Sequence, residues 1–119
     1  MTPGELLDLA RQVADRKDPA TRGLWPRAAT LLARQALEEA VWWLDPRLQQ
    51  ATSRATFLAL PHLIEADVAH HAGLVHGRLS AACHHHSYEL PPTAVELHGC
   101  FATVAELIVA VDTARGAQV

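Results

Sequence analysis

Residues 76–92 read HGRLSAACHHHSYELPP and place an arginine, three consecutive histidines, a cysteine, a tyrosine and a glutamate on one short stretch. Two chemistries use such residue types. Imidazoles can ligate a metal, or a guanidinium and an imidazole can handle a phosphate together. Ligands on one helix need partners three or four residues apart. The eight histidines stand at 62, 70, 71, 76, 84, 85, 86 and 98, and no two have that spacing. Adjacent helical histidines diverge by about 100°. There is also no HExxH and no paired CxxC, so the expectation is no resident metal and no cofactor. An adventitious nickel or zinc site shared between two chains stays open.

The phosphate reading centres on Arg78. His71, Arg78 and His85 recur at intervals of seven, nearly two helical turns, and share one stripe with about 10.5 Å between successive members. An arginine fork holds a phosphate through two hydrogen bonds and steadies charge on a phosphorane, while a histidine moves a proton near neutral pH. Arg78 and His85 would thereby suit metal-free acid–base cleavage of RNA. His84 faces away from the stripe in a regular helix. Glu89, four residues past His85, can orient its imidazole if the helix persists that far, and Tyr88 can contact a base or a 2′-hydroxyl. The competing reading is a solvated polar face whose histidines favour the helix C-terminus electrostatically. On that reading His71 and His86, bordering the apolar side, are core-edge histidines.

These residues need helices to position them. TPGE at Thr2–Glu5 has the form of a capping box and opens a helix to about Lys17, with Leu6, Leu9 or Ala10, and Val13 on one face. DPATRG is turn chemistry. Ala29, Leu32, Ala36, Ala40 and Trp43 then mark a long helix from about Pro26 to Leu44, which the following Asp-Pro stops. A short helix starts near Ser53 and breaks around Pro61. Asp67 can cap the next helix, whose apolar stripe of Ile64 or Val68, Val75, Leu79 and Ala82 lasts to about Ser87 before ELPP ends it. Thr93 and Glu96 form a second capping box, opening a last helix to about Thr113 that buries Leu97, Phe101, Val104, Ile108 and Val111. The expected architecture is all-α: one domain over residues 1–119, a compact bundle of four long helices plus a short one.

Composition narrows the classes. The chain is 119 residues long and 50% hydrophobic, yet only 5% aromatic, and its Ala, Leu and Val favour helices over strands. Folding can remove roughly 65% of the unfolded chain's surface from water, enough for an independent core. A net charge of −3 argues against coating nucleic acid through a broad basic surface, though not against a small phosphate site. The N-terminus lacks a basic flank and an unbroken apolar segment, and FATVAELIVAV is short and carries Glu106. No signal peptide and no membrane span are therefore expected, and a cytoplasmic location follows. Cys83 and Cys100 are too few for a disulfide framework and read as buried free thiols.

With this helical context, the helix LLARQALEEAV and the segment RLSAACHHHSYELPPTAVEL make the chain resemble the HEPN superfamily over about residues 24–113. The resemblance implies a compact HEPN-like bundle that acts as a metal-independent endoribonuclease of toxin or defence type. It places the R-x4–6-H motif on Arg78 and on His84 or His85, both intervals fitting. It also implies a homodimer with a composite site, and a partner protein such as an antitoxin or a nucleotidyltransferase-like protein. Active members often carry Asn, Asp or another polar residue directly after the arginine, where this chain has Leu79. The alternative is a non-catalytic helical module that binds a partner protein or a nucleotide through the same surface.

Two further features lie on the second long helix. Trp43 continues its apolar stripe, whereas Trp42 lies about 100° away and would pack against another helix or a second subunit. Arg34 and Glu38 have ion-pair spacing, expected as a solvated pair worth a few tenths of a kcal/mol. For a role in the site, their face would have to meet the Arg78 stripe.

Overall fold

The computed structural model describes residues 1–16, 25–84 and 92–116. Along these run α1 (Pro3–Asp15), α2 (Trp25–Leu44), a 3₁₀ turn (Pro46–Gln50), α3 (Ser53–Ala59), a second 3₁₀ turn (Leu60–His62), α4 (Ala66–Cys83) and α5 (Ala94–Gly116). No strand occurs among the described residues. The described residues form an all-helical bundle with four long helices and one short one.

Local sequence sets most of the boundaries. The Thr2 hydroxyl accepts from the Glu5 N–H at 3.1 Å, and Pro3 occupies the first turn of α1, where its missing N–H costs nothing. Thr52 caps α3 in the same way, accepting from Ala55 N–H at 3.1 Å. At the start of α5 the capping box closes, with Glu96 N–H donating to Thr93 Oγ1 at 3.1 Å and Thr93 N–H to Glu96 Oε1 at 3.5 Å. Each cap contributes about 1 kcal/mol. In α4 the N-cap position belongs to Glu65, which makes no side-chain cap bond. Asp67 sits inside the first turn instead, where its charge favours the positive end of the helix dipole.

α2 is the central element and packs on α1, α4 and α5. Its Ala29, Ala33, Ala36 and Ala40 are at most 1% exposed, and Leu37 and Val41 are equally covered. The small alanines let neighbouring helices approach closely, so α2 buries more than one narrow stripe. This rotates the burial away from the expected pattern: Leu32 is half-buried, and Trp43 is 42% exposed. The Arg115 guanidinium from the last turn of α5 lies 4.9 Å from the centre of the Trp43 ring, a cation–π contact. Trp42 packs half-buried against the core within the chain.

α5 buries Leu97, Phe101, Val104 and Val111 as its spacing predicts, with Cys100 and Leu107 beside them, while Ile108 is half-buried. It is apolar on its outer side too, where Val95 and Val109 stand exposed. FATVAELIVAV is thus part of a 23-residue helix whose mean hydropathy of 1.7 over 18 residues makes it long and apolar enough to cross a membrane. Core helices of globular bundles share that property.

Candidate functional site

α4 positions the arginine. Its outward face carries Asp67, His70, His71, Leu74, Gly77, Arg78 and Ala81, all exposed, whereas Ala72, Val75, His76, Leu79 and Cys83 turn inward. Arg78 has no ion pair or hydrogen bond among the described residues. Its charge is felt by the Cys100 thiol on α5, whose pKa burial pushes up, with Arg78 opposing that rise and Glu96 adding to it. Arg78 therefore stands on the side of α4 that meets the first half of α5. Both cysteines are buried and free.

α4 ends at Cys83, short of the expected Ser87. His84 is its C-cap, with φ −109° and ψ 15°, and its N–H bonds back to the Ala81 carbonyl. A regular-helix argument that favours His85 over His84 stops applying at that point. His84 is exposed, six positions after Arg78 and about 9 Å further along the axis. His85, His86, Tyr88 and Glu89 lie outside the described residues. His71 is exposed rather than at the core edge. The structure thus places Arg78, His71 and His84 on one helix without drawing them to one point. Leu79 is 1% exposed and is a core residue.

Among the described residues the buried histidine is His76, to which the sequence alone assigns no role. It is 9% exposed and lies against Phe57, the ring centres 4.9 Å apart. The signal was present: Ala72, His76, Leu79 and Cys83 advance by four, three and four residues, a core stripe with one polar member. Arg34 and Glu38 face this histidine across the α2–α4 contact, not the Arg78 stripe. Arg34 Nε donates to Glu38 Oε1 at 3.0 Å, and the side chains are only 30% and 27% exposed. The pair is half-buried rather than solvated. Burial lowers the His76 pKa, the Glu38 charge works against that shift and Arg34 adds to it.

Between α2, the first 3₁₀ turn, α3 and α4 lies a small cleft of ≈ 50 Å³, lined by Glu38, Trp42, Gln49, Ser53, Phe57 and His76 among others. A separate apolar groove of ≈ 630 Å³ runs between the start of α4 and the second half of α5, over Ile64, Val68, Ala105, Val109 and Ala110. It is about 15 Å along α4 from Arg78. Among the described residues no three His, Cys, Asp or Glu side chains are grouped to hold a metal ion.

No protein-family model, curated protein or solved structure matches the chain.

Proposed function

We propose that the protein is a HEPN-like endoribonuclease that needs no metal, with Arg78 on the scissile phosphate and His84 or His85 moving the proton. The observation that carries this reading is Arg78 itself. It is a guanidinium on the exposed face of α4, committed to no carboxylate among the described residues, about one and two-thirds turns before a histidine that ends the helix. A phosphate-binding arginine must keep its fork open.

In the reaction, the ribose 2′-oxygen forms a bond to phosphorus and the bond to the 5′-oxygen breaks, leaving a 2′,3′-cyclic phosphate and a free 5′-hydroxyl. The histidine takes the 2′-hydroxyl proton, and the 5′-oxygen must receive one. Arg78 stabilises the charge that builds on the equatorial oxygens. Arg78 and His84 of one chain are about 9 Å apart along the axis, and in this reading a second chain supplies the histidine that completes a compact site. Leu74, 53% exposed, with Gly77 and Ala81 beside it, gives the Arg78 face of α4 the small apolar surface through which a second copy can approach. The working form is then a homodimer.

The test is incubation of the purified protein with mixed RNA in EDTA, reading for cyclic-phosphate ends. Arg78→Ala is expected to lower cleavage by about 10²–10³-fold with an unchanged melting temperature. Activity that survives this change, or that disappears on metal removal, refutes the mechanism. Leu74→Glu is expected to give monomers by sedimentation and to abolish cleavage.

A further inference from the structure

The inner side of α5 closes the core, and its outer side faces solvent. Val95, Ala102 and Val109 lie seven residues apart, nearly two turns, and so form one outward stripe. All three are exposed, the two valines to 82% and 65%. Beside the second half of this stripe is the apolar groove of ≈ 630 Å³ between α5 and the start of α4. An exposed apolar surface that runs into a groove marks an interaction face.

The order of the residues identifies what covers it. Counted from Ala102 in both directions, the face mirrors itself: Gly99 and Ala105 stand three residues away, His98 and Glu106 four, Val95 and Val109 seven. A second copy lying antiparallel across such a face, two-fold about Ala102, sets each position level with its mirror. Val95, the most exposed large apolar side chain among the described residues, then falls level with Val109 of the second copy, where the groove is open. A knob meets a hole twice. The small side chains at 99, 102 and 105 let the two helix axes approach to about 8 Å.

Charge selects the direction. Glu65 and Glu106 line the groove without a cation beside them, and neither carboxylate has a bond among the described residues. A parallel pair would set Glu106 against Glu106. The antiparallel pair holds the two about 12 Å apart along the axis. It turns each toward the end of the second copy that carries His98 and Arg78, where Glu96 is already engaged by the Thr93 cap. Complementary fields fix register in this way without a direct pair, so the Arg78 fork stays open. On α4, whose start lies beside residues 105–114 and whose Arg78 acts on Cys100, the exposed Leu74 falls within about one turn of the level of Ala102. Leu74 thus meets the second copy across the same axis.

We propose that two copies of this chain pair through the outer face of α5, antiparallel and two-fold about Ala102, with Val95 of each seated on the apolar groove of the other. The contact rests on the nuclease reading for its homodimer alone and needs no catalysis.

Cysteine cross-linking of the full chain with diamide as oxidant reads the geometry, the two native thiols being buried. Ala102→Cys, on the axis, is expected to give a disulfide-linked dimer. In Val95→Cys alone or Val109→Cys alone the like positions are about 21 Å apart, beyond the reach of a disulfide. An equimolar mixture of the two is expected to link at least 10-fold faster than either by itself. Sedimentation is expected to show dimers with a Kd on the order of 10 µM, raised at least 10-fold in Val95→Glu with the helical circular dichroism intact. Monomers at roughly 200 µM, Val95→Cys linking to itself as fast as the mixture links, or an unchanged Kd in Val95→Glu each overturns the proposal. A dimer linked through Ala102→Cys that leaves RNA intact refutes the nuclease reading and upholds the contact. RNA cleavage by a dimer that Ala102→Cys does not link refutes the contact alone.

Discussion

Replacing Leu79 by asparagine separates the core from the candidate chemistry at one position. Its neighbour Arg78 is exposed, while Leu79 is 1% exposed and packed in the central cluster. Truncating a buried leucine costs about 2–5 kcal/mol. The asparagine amide, with no partner in that apolar layer, adds about 1–3 kcal/mol. The sum of at least about 3 kcal/mol stands against a total stability of roughly 6–18 kcal/mol for 119 residues. At about 4 °C per kcal/mol, the melting temperature falls by about 12 °C or more. Leu79→Ala is expected to lose about 2–5 kcal/mol, less than the asparagine variant. Calorimetry or urea titration followed by circular dichroism reads both. Assayed below its melting temperature, Leu79→Asn is expected to show no gain in RNA cleavage, because the side chain points into the bundle and not toward Arg78. A stability change under 1 kcal/mol, or a clear gain in cleavage, would refute this assignment of the helix faces.

Acid should weaken the fold through His76. Its folded pKa lies below the ordinary histidine value of about 6.5, so the unfolded chain takes the proton first. Stability is full above about pH 6.5 and is lost as pH falls from there through the folded pKa; urea midpoints between pH 7.5 and 5 show this, and His76→Gln is expected to flatten the slope. Gly77 lies mid-helix with open space where a Cβ would stand, so Gly77→Ala is expected to raise stability by about 0.5–1 kcal/mol, read as a higher denaturation midpoint. Thr93→Ala removes the α5 cap and is expected to cost about 1 kcal/mol on the same measurement. Cys100, buried and with its pKa raised, is expected to react with an alkylating reagent at pH 8 at least 10-fold more slowly than free cysteine, followed by mass spectrometry.

The helices were legible because their signals are local. Thr2, Thr93 and Glu96 announce helix starts through the hydrogen bonds they make to their own first turns, and the Asp45-Pro46 step announces the end of α2. Tertiary facts were less legible. Trp43 and Leu32 fit the periodicity of α2, but three neighbours pack on that helix and select the alanines, Leu37 and Val41 for burial instead. The end of α4 at Cys83 was missed because Ala82 and Cys83 continue an apolar pattern that takes no account of where the backbone turns. Arg34 and Glu38 carry ordinary spacing for a surface pair. Only the approach of α4 reveals that they enclose His76, whose polarity had masked its place on the inward stripe.

The alanines at 29, 33, 36 and 40 bear on how mutational screens of this protein should be interpreted. Each is at most 1% exposed. A single added methylene has nowhere to go without pushing a helix outward, at a cost of about 1–3 kcal/mol. The densest band of intolerance in a saturation screen should therefore fall on chemically blank positions of α2. A reader who equated intolerance with function would look on α2 for the active centre proposed for α4. Only a screen that scores abundance and activity separately would return attention to the exposed arginine on α4.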